Sequence, residues 1–327
     1  MYEKFYQFTG IPFLLTPDSR FFFGSSGHSR AIAHLVYGLA QEEGFIVITG
    51  EVGAGKTTLV EQLWSQLDRH SYFIARIVTT QVSPDDLLRL AMANFGIGDT
   101  PGLDKATLLR RFEFMVQEQR RAGRRCLLVV DEVQNLPLAA LEELRMLSNI
   151  TVDGKASLQT ILLGQPQFRP ILASHDAEQL RQRVLASYHL GPLTEAETRG
   201  YIEHRLKMVQ WSGDPHWNDD AFLAVHRHTD GIPRRINTLC SRVLLYGALE
   251  EAHEISAATV DMTASELNQD LGAGLAPAPR PSLVCESERD QDGILRRIEM
   301  LEANASRQDR VFRRLLNLLE ATREARG

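Results

Sequence analysis

The sequence predicts an α/β fold: a parallel sheet core, then a small helical lid domain, then a C-terminal helix. Three observations carry this reading. Short apolar runs at 45–49, 126–130 and 158–163 alternate with segments of helical period, the pattern of strands buried on both faces of a parallel sheet. The strand pattern stops near residue 192, and helical segments continue to 267. A glycine-rich turn, GEVGAGKT, joins the first apolar run to the helix after it.

The elements follow in order. Residues 1–30 are an aromatic-rich lead-in in which Pro12 and Pro17 exclude one continuous helix. A helix is expected over 29–42, a strand over 45–49, its helix over 57–67 and a second strand over 72–78. Ser83, Pro84 and Asp85 read as a helix start. The segment 105–121 is helical, with Leu108, Phe112 and Met115 on one face. The strand at 126–130 runs straight into Asp131 and Glu132. A helix over 138–147, a turn at Asp153 and Gly154, and a strand over 158–163 ending at Gly164 complete the core.

Helices over 195–210, 219–228, 234–249 and 257–267 make the lid. LGAGLAPAPRPSL at 271–283 is a linker by composition. Beyond it Ile294, Ile298, Leu301, Ala305, Gln308, Phe312, Leu315 and Leu319 alternate at spacings of four and three, a heptad seam interrupted by Gln308. That seam suits self-association, docking on a partner, or folding back on its own domain. The expected division is a lead-in at 1–30, a nucleotide-binding α/β domain at 31–192, a lid at 193–268, a linker at 269–290 and an amphipathic or coiled-coil helix at 291–322.

Bulk properties narrow the classes. The net charge of −6 gives no global attraction to nucleic acid or to an anionic membrane, although local basic patches remain. Cys126, Cys240 and Cys285 lack metal-ligand spacing, which fits a reducing compartment and argues against a disulfide scaffold. No apolar run approaches the roughly 20 residues of a membrane span. A cytoplasmic protein is expected, held at the inner membrane, if at all, through a partner.

The turn at 50–57 matches G-x-x-x-x-G-K-[ST] in full. Gly50, Glu51, Val52, Gly53, Ala54 and Gly55, with Lys56, Thr57 and Thr58, form a loop whose amides can gather around phosphates at a helix N-terminus. A nucleoside triphosphate and Mg2+ are implied. Lys56 is expected to reach the β- and γ-phosphates and Thr57 to coordinate magnesium. Asp131, at the end of an apolar strand, suits the same metal, and Glu132 suits a base that orients the attacking water. Gln134 and Asn135 fit nucleotide sensing, partner positioning or helix capping.

Gln165 follows the strand ILLG and suits contact with the γ-phosphate or the water, or a plain turn. Arg181 or Arg183 suits an arginine finger toward a neighbouring subunit, or a surface helix. In GIPRRIN at 231–237, Arg234 is favoured over Arg235 as the residue that reports the γ-phosphate to the lid. Arg120, Arg121, Arg124 and Arg125 form a basic cluster that suits a solvated loop flank, or contact with DNA or an acidic partner.

Together these blocks resemble the AAA+ ATPases, and more closely the general secretion pathway A / ExeA-like family. The lead-in MYEKFYQFTGIPFLLTPDSRFFF, His28, GEVGAGKTTL, VVDEVQNL, LEELRMLSNI, LLGQP and GIPRRIN each match a family block, over about residues 1–260. EELRMLSNITVDGKASLQTILLGQPQFR is most similar to the ATPases that accompany exosortase (PEP-CTERM) and exopolysaccharide systems. The resemblance implies a P-loop NTPase of AAA+ type that hydrolyses ATP with Mg2+. It gives Lys56, Thr57, Asp131 and Glu132 the Walker roles, Gln165 the sensor-1 position, Arg234 the sensor-2 position, and Arg181–Arg183 the QRV block.

It also implies a homo-oligomer, with a hexamer as the family-like form, and a protein partner in an envelope export or polysaccharide system. The same resemblance extends to DNA-binding ATPases that regulate transposition, the alternative reading. Two departures stand out. Arg235 replaces a usually apolar residue, and the membrane span and peptidoglycan-binding domain of cell-wall-coupled members are not visible. The second sets the expectation of a role other than threading a pore through peptidoglycan.

Overall fold

A computed structural model describes residues 2–270 except 17, 69, 79–82, 99, 101 and 153. The expected linker from 271 onward and the heptad helix at 291–322 lie outside the described residues, as does Cys285.

The core is one five-stranded parallel sheet. Its strands are β1 (Phe45–Gly50), β2 (Tyr72–Ile77), β3 (Arg125–Val130), β4 (Leu158–Gly164) and β5 (Val184–Leu190), in the order β2-β3-β4-β1-β5. Every strand runs the same way, so the loops after β1, β3 and β4 emerge at one edge. Chain order reverses around β1, and the crevice at such a switch point is where open α/β sheets bind ligands.

Side-chain alternation divides the sheet between two apolar layers. Val47, Leu128, Val130, Leu158 and Leu162 face one buried layer. Ile46, Ile48, Leu127, Val129, Ile161 and Leu163 face the other.

The helices of the α/β part are α2 (Ser26–Ala40), α3 (Lys56–Gln66), α4 (Pro84–Asn94), α5 (Lys105–Arg121) and α6 (Leu138–Leu147), with short α7 (Phe168–Ala173) and α8 (Glu178–Arg181); α1 (Tyr2–Phe5) lies in the lead-in. Their starts are written locally. Ser25, Ser83 and Asp104 accept N–H bonds from His28, Asp86 and Thr107 as N-caps of α2, α4 and α5. On α5 the fully buried face is Leu108, Phe112 and Val116, with Met115 at its margin.

The lid is α9 (Glu195–Met208), α10 (Asp219–Thr229), α11 (Pro233–Leu249) and α12 (Ala257–Asp270). Thr194 and Glu197 start α9 with a reciprocal capping box. Strand content differs from the sequence reading. β5 was not anticipated, because VLASYHL mixes apolar and polar residues; Ala186 and Leu190 are buried on one face while Ser187 and His189 are exposed on the other. Strand structure also reappears in the lid as a two-residue pair, His216–Trp217 with Glu254–Ile255.

The lead-in is part of the lid's packing. Tyr2, Tyr6, Phe8, Phe13 and Phe21 share one apolar cluster with Leu206, Val209, Leu239 and Val243. Tyr6 donates to the Ala252 carbonyl at 2.9 Å. Arg205, 6% exposed, donates to the Pro12 carbonyl at 2.9 Å and the Leu14 carbonyl at 3.3 Å. Its guanidinium also lies over Phe21, 5.0 Å from the ring centre. An Arg205→Met substitution keeps most of the apolar stem but strands two carbonyls. It is expected to destabilise the fold by about 2–3 kcal/mol, read as a lower urea midpoint at unchanged slope.

Candidate nucleotide site

The loop after β1 is shaped by glycine. Gly53 and Gly55 have φ of 84° and 97°, backbone that L side chains rarely adopt. A Cβ on Gly53 would sit 2.2 Å from the Arg234 Cβ, so the loop and the start of α11 meet there without room for a side chain. The Arg234 amide seals the contact by donating to the Gly53 carbonyl at 3.2 Å.

Lys56 opens α3 and is buried. Its Nζ donates to the Gly50 carbonyl at 2.7 Å and the Glu51 carbonyl at 3.0 Å. These bonds hold the ammonium inside the curve of the loop. Burial pulls its pKa below the usual lysine value, and nearby Glu132, Asp131 and Glu51 oppose that shift.

Thr57 reaches across to β3. Its Oγ1 donates to Asp131 Oδ2 at 3.0 Å, so the two expected metal-holding residues converge. The same Oδ2 accepts from Arg76 Nη2 at 2.9 Å, and Arg76 also pairs with Glu61 at 3.3 Å. Asp131 is 5% exposed, so this cation balances a carboxylate that has little water around it.

Glu132 sits in left-handed backbone, φ 53°, unusual for a residue with a side chain. Its Oε2 accepts from Gln134 Nε2 at 2.5 Å and from Gln165 Nε2 at 2.9 Å. Gln134 Oε1 in turn accepts from the Gln165 amide at 2.9 Å. Two side-chain bonds and one from the Gln165 backbone N–H thus close a hydrogen-bond triangle between the ends of β3 and β4.

Lys56, Thr57, Asp131, Glu132 and Arg234 border one cleft of about 420 Å³, in the usual size range for a small-ligand pocket, while Gln134, Gln165 and Arg76 stand behind its lining. Its floor is Gly53, Gly55, Lys56 and Thr57, and Asp131 and Glu132 line it too. The lead-in and lid supply its other walls, including Phe22, Tyr201, Arg234 and Asn237.

Arg234 is exposed, while Arg235 is paired with Asp230 at 2.8 Å. Arg181 and Arg183 are not brought to this cleft. The Arg183 carbonyl accepts from the Phe45 amide at 2.9 Å, at the opposite end of β1. A six-residue strand separates that point from the loop by about 20 Å. Arg181 is exposed and donates to the Ala173 carbonyl at 3.0 Å, and Arg183 donates to Ser148 at 3.3 Å. Neither arginine lines the cleft of its own chain.

The arginine cluster before β3 is largely engaged at home. Arg120 pairs with Glu42 at 3.1 Å, Arg125 with Glu42 at 3.4 Å, and Arg121 with Glu118 at 3.3 Å. Arg124 lies over the Phe73 ring at 5.6 Å.

Sequence reasoning overlooked Arg76, although a cation inside the otherwise apolar YFIARI is a readable signal. It also missed the bond network that ties Gln134 to both Glu132 and Gln165.

The residues fit magnesium with a nucleoside triphosphate. Among the described residues no group of three or more His, Cys, Asp and Glu could hold a metal by itself. Magnesium in phosphate sites needs none, because one carboxylate, a hydroxyl, water and substrate phosphates complete its shell.

An AAA domain model matches residues 39–172. Over 268 residues, 82% of the chain, the sequence is 34% identical to general secretion pathway protein A of Aeromonas hydrophila. The chain spans about half, 49%, of that relative's length. Among solved structures, the Cdc6p of Pyrobaculum aerophilum superposes with a TM-score of 0.62 at 16% identity, covering 84% of this chain and 74% of that one. The ORC2 protein of Aeropyrum pernix gives 0.56 at 17%, covering 73% and 66%. The RuvB branch migration motor of Thermotoga maritima gives 0.50 at 20%, covering 74% and 68%. At those identities the structural likeness speaks for fold alone. The chain therefore has the AAA+ P-loop NTPase fold and is a homologue of general secretion pathway protein A.

Proposed function

We propose that this chain is a magnesium-dependent ATPase whose cycle moves the lid against the α/β core, working as a homo-oligomer for a bacterial envelope export or exopolysaccharide/exosortase system. The observation that carries the reading is the convergence of Lys56, the Thr57–Asp131 pair, Glu132 and Arg234 on one cleft.

The chemistry is attack of water on the γ-phosphorus. The bond to the β,γ-bridging oxygen breaks, and ADP leaves with the electron pair. Glu132 orients the water and takes its proton. Lys56 and the loop amides offset charge on the transferring phosphoryl group. Thr57 and Asp131 would hold magnesium, which when bound neutralises charge on the phosphate oxygens. Gln165 holds the Glu132 carboxylate and Arg234 reads the γ-phosphate from the lid. Arg181 or Arg183 serves the neighbouring subunit's site.

The envelope assignment rests on the homology to a secretion-pathway protein. Attachment to an inner-membrane complex through a protein partner is part of the proposal; no helix among the described residues is long and apolar enough to cross a membrane. A DNA-binding regulator of transposition type is the competing reading. The internal pairing of Arg120, Arg121 and Arg125 weighs against it.

Phosphate release with and without double-stranded DNA, beside particle mass with a non-hydrolysable ATP analogue, separates the two. Nucleotide-driven assembly with no DNA effect is expected. Stimulation by DNA together with assembly on it would transfer the assignment to the transposition-type reading. An Arg234→Ala variant is expected to lose turnover about 10–100-fold, within the range of other electrostatic contacts to transferring phosphate, while ADP affinity changes little. A matched loss of ADP affinity would instead make Arg234 a general binding residue.

A further inference from the structure

His28 lies in the first turn of α2, outside the loop, the strand ends and the lid arginine that account for the chemistry. It is 6% exposed. Ser25, the helix N-cap, accepts the His28 amide N–H at 3.2 Å, and its Oγ is 2.7 Å from His28 Nδ1. Ser25 is itself buried, and no other acceptor for its hydroxyl proton is found among the described residues. The hydroxyl therefore donates to Nδ1, which leaves the ring proton on Nε2.

That Nε2–H has no partner among the described residues. It points at the turn between the loop and α3: a Cβ on Gly55 would lie 2.9 Å from Nε2. The Phe22 ring meets the imidazole edge-on, with centres 5.6 Å apart, and closes one side. The ring borders the same cleft as Lys56, Thr57 and Thr58. Burial holds the pKa down, to about 4, so the imidazole is neutral at physiological pH and acts as an N–H donor without charge.

The donor opens on the cleft, beside the helix N-terminus where phosphates gather. We propose that His28 is a nucleotide-contacting residue whose Nε2–H donates to the phosphate chain of a bound nucleoside di- or triphosphate. The inference rests on the reading of this cleft as the nucleotide site. It also gives the lid a route to the phosphates. The amide of Ser26, two residues before His28, donates to Glu197 Oε1 at 2.8 Å, and Glu197 is the capping-box residue of lid helix α9.

The test uses the full chain and ADP. Wild type, Lys56→Ala, His28→Ala, His28→Asn and His28→Gln are titrated with fluorescent ADP, and each fold is checked by its thermal melt. In parallel, wild type labelled with 15N-histidine is titrated with ADP. His28→Ala and His28→Asn are expected to weaken ADP about tenfold or more, the worth of one hydrogen bond to a charged group. Gln, whose amide reaches the Nε2 position, restores most of the affinity. The 15N spectrum shows the Nε2–H tautomer, and its resonance moves on ADP addition.

Binding within twofold of wild type in a folded His28→Ala, or an Nε2–H signal indifferent to ADP, overturns the proposal. If wild type itself binds no ADP and Lys56→Ala behaves the same, the site reading has failed instead. Should His28→Ala not fold, the wild-type spectrum decides alone.

Discussion

A Glu132→Gln chain is expected to bind ATP as tightly as its parent and to hydrolyse it about 10²–10⁴-fold more slowly, the usual worth of a positioned general base. The substitution is nearly isosteric. The new amide oxygen can still accept from Gln134 or Gln165, so the triangle at the ends of β3 and β4 is disturbed little. What is lost is the negative charge that takes a proton from water. The left-handed backbone at Glu132 supports this division of labour, because strain at such a position is held only where the surroundings over-determine it. Stopped-flow binding beside phosphate release separates the two steps. Hydrolysis at the parent rate would remove Glu132 from the role of base.

The second large effect is at Lys56. Replacement by Ala is expected to lower turnover by at least about 10²–10³-fold, as removal of a preorganised charge-stabilising donor does elsewhere. It should also weaken nucleotide binding, unlike the Glu132 change. The ammonium is buried and already positioned by the Gly50 and Glu51 carbonyls, so it needs no reorganisation when phosphate arrives. Removing it strands those two carbonyls in the loop. A variant with normal nucleotide affinity and normal turnover would show that the phosphates are held elsewhere.

Much of the core was readable because each signal was redundant. β1 opens on the apolar run Phe45–Ile48 and β3 carries Cys126–Val130, and each ends in a chemically distinctive turn, the glycine loop in one case and Asp131–Glu132 in the other. A strand buried on both faces and a loop needing φ above zero leave few alternatives. β5 was missed for the complementary reason. Only one of its faces is well buried, so Ser187 and His189 are tolerated on the other and the apolar run breaks up.

The lead-in shows a different limit. Its aromatics announce burial, but nothing local says against what. The partners, Leu206, Val209 and Leu239, lie about 200 residues away, and the contact depends on Arg205 finding the Pro12 and Leu14 carbonyls. At the site the individual acids and amides were legible, while their mutual bonding was not. Arg76 on Asp131, Gln134 between Glu132 and Gln165, and His28 against Gly55 are all consequences of strand register and loop path. Spacing along the chain carries no record of them. Arg181 and Arg183 illustrate the opposite case. Their position at the far end of β1 follows from topology, and it sets them a strand's length from the cleft.

Phosphate release from ATP and magnesium by the purified chain, measured beside Glu132→Gln from the same preparation and repeated with double-stranded DNA, tests the central claim most directly. The account predicts turnover by the parent chain, near-complete loss in Glu132→Gln with ATP still bound, and no response to DNA. Equal turnover in both chains, or a parent chain that binds ATP without ever releasing phosphate, would contradict it.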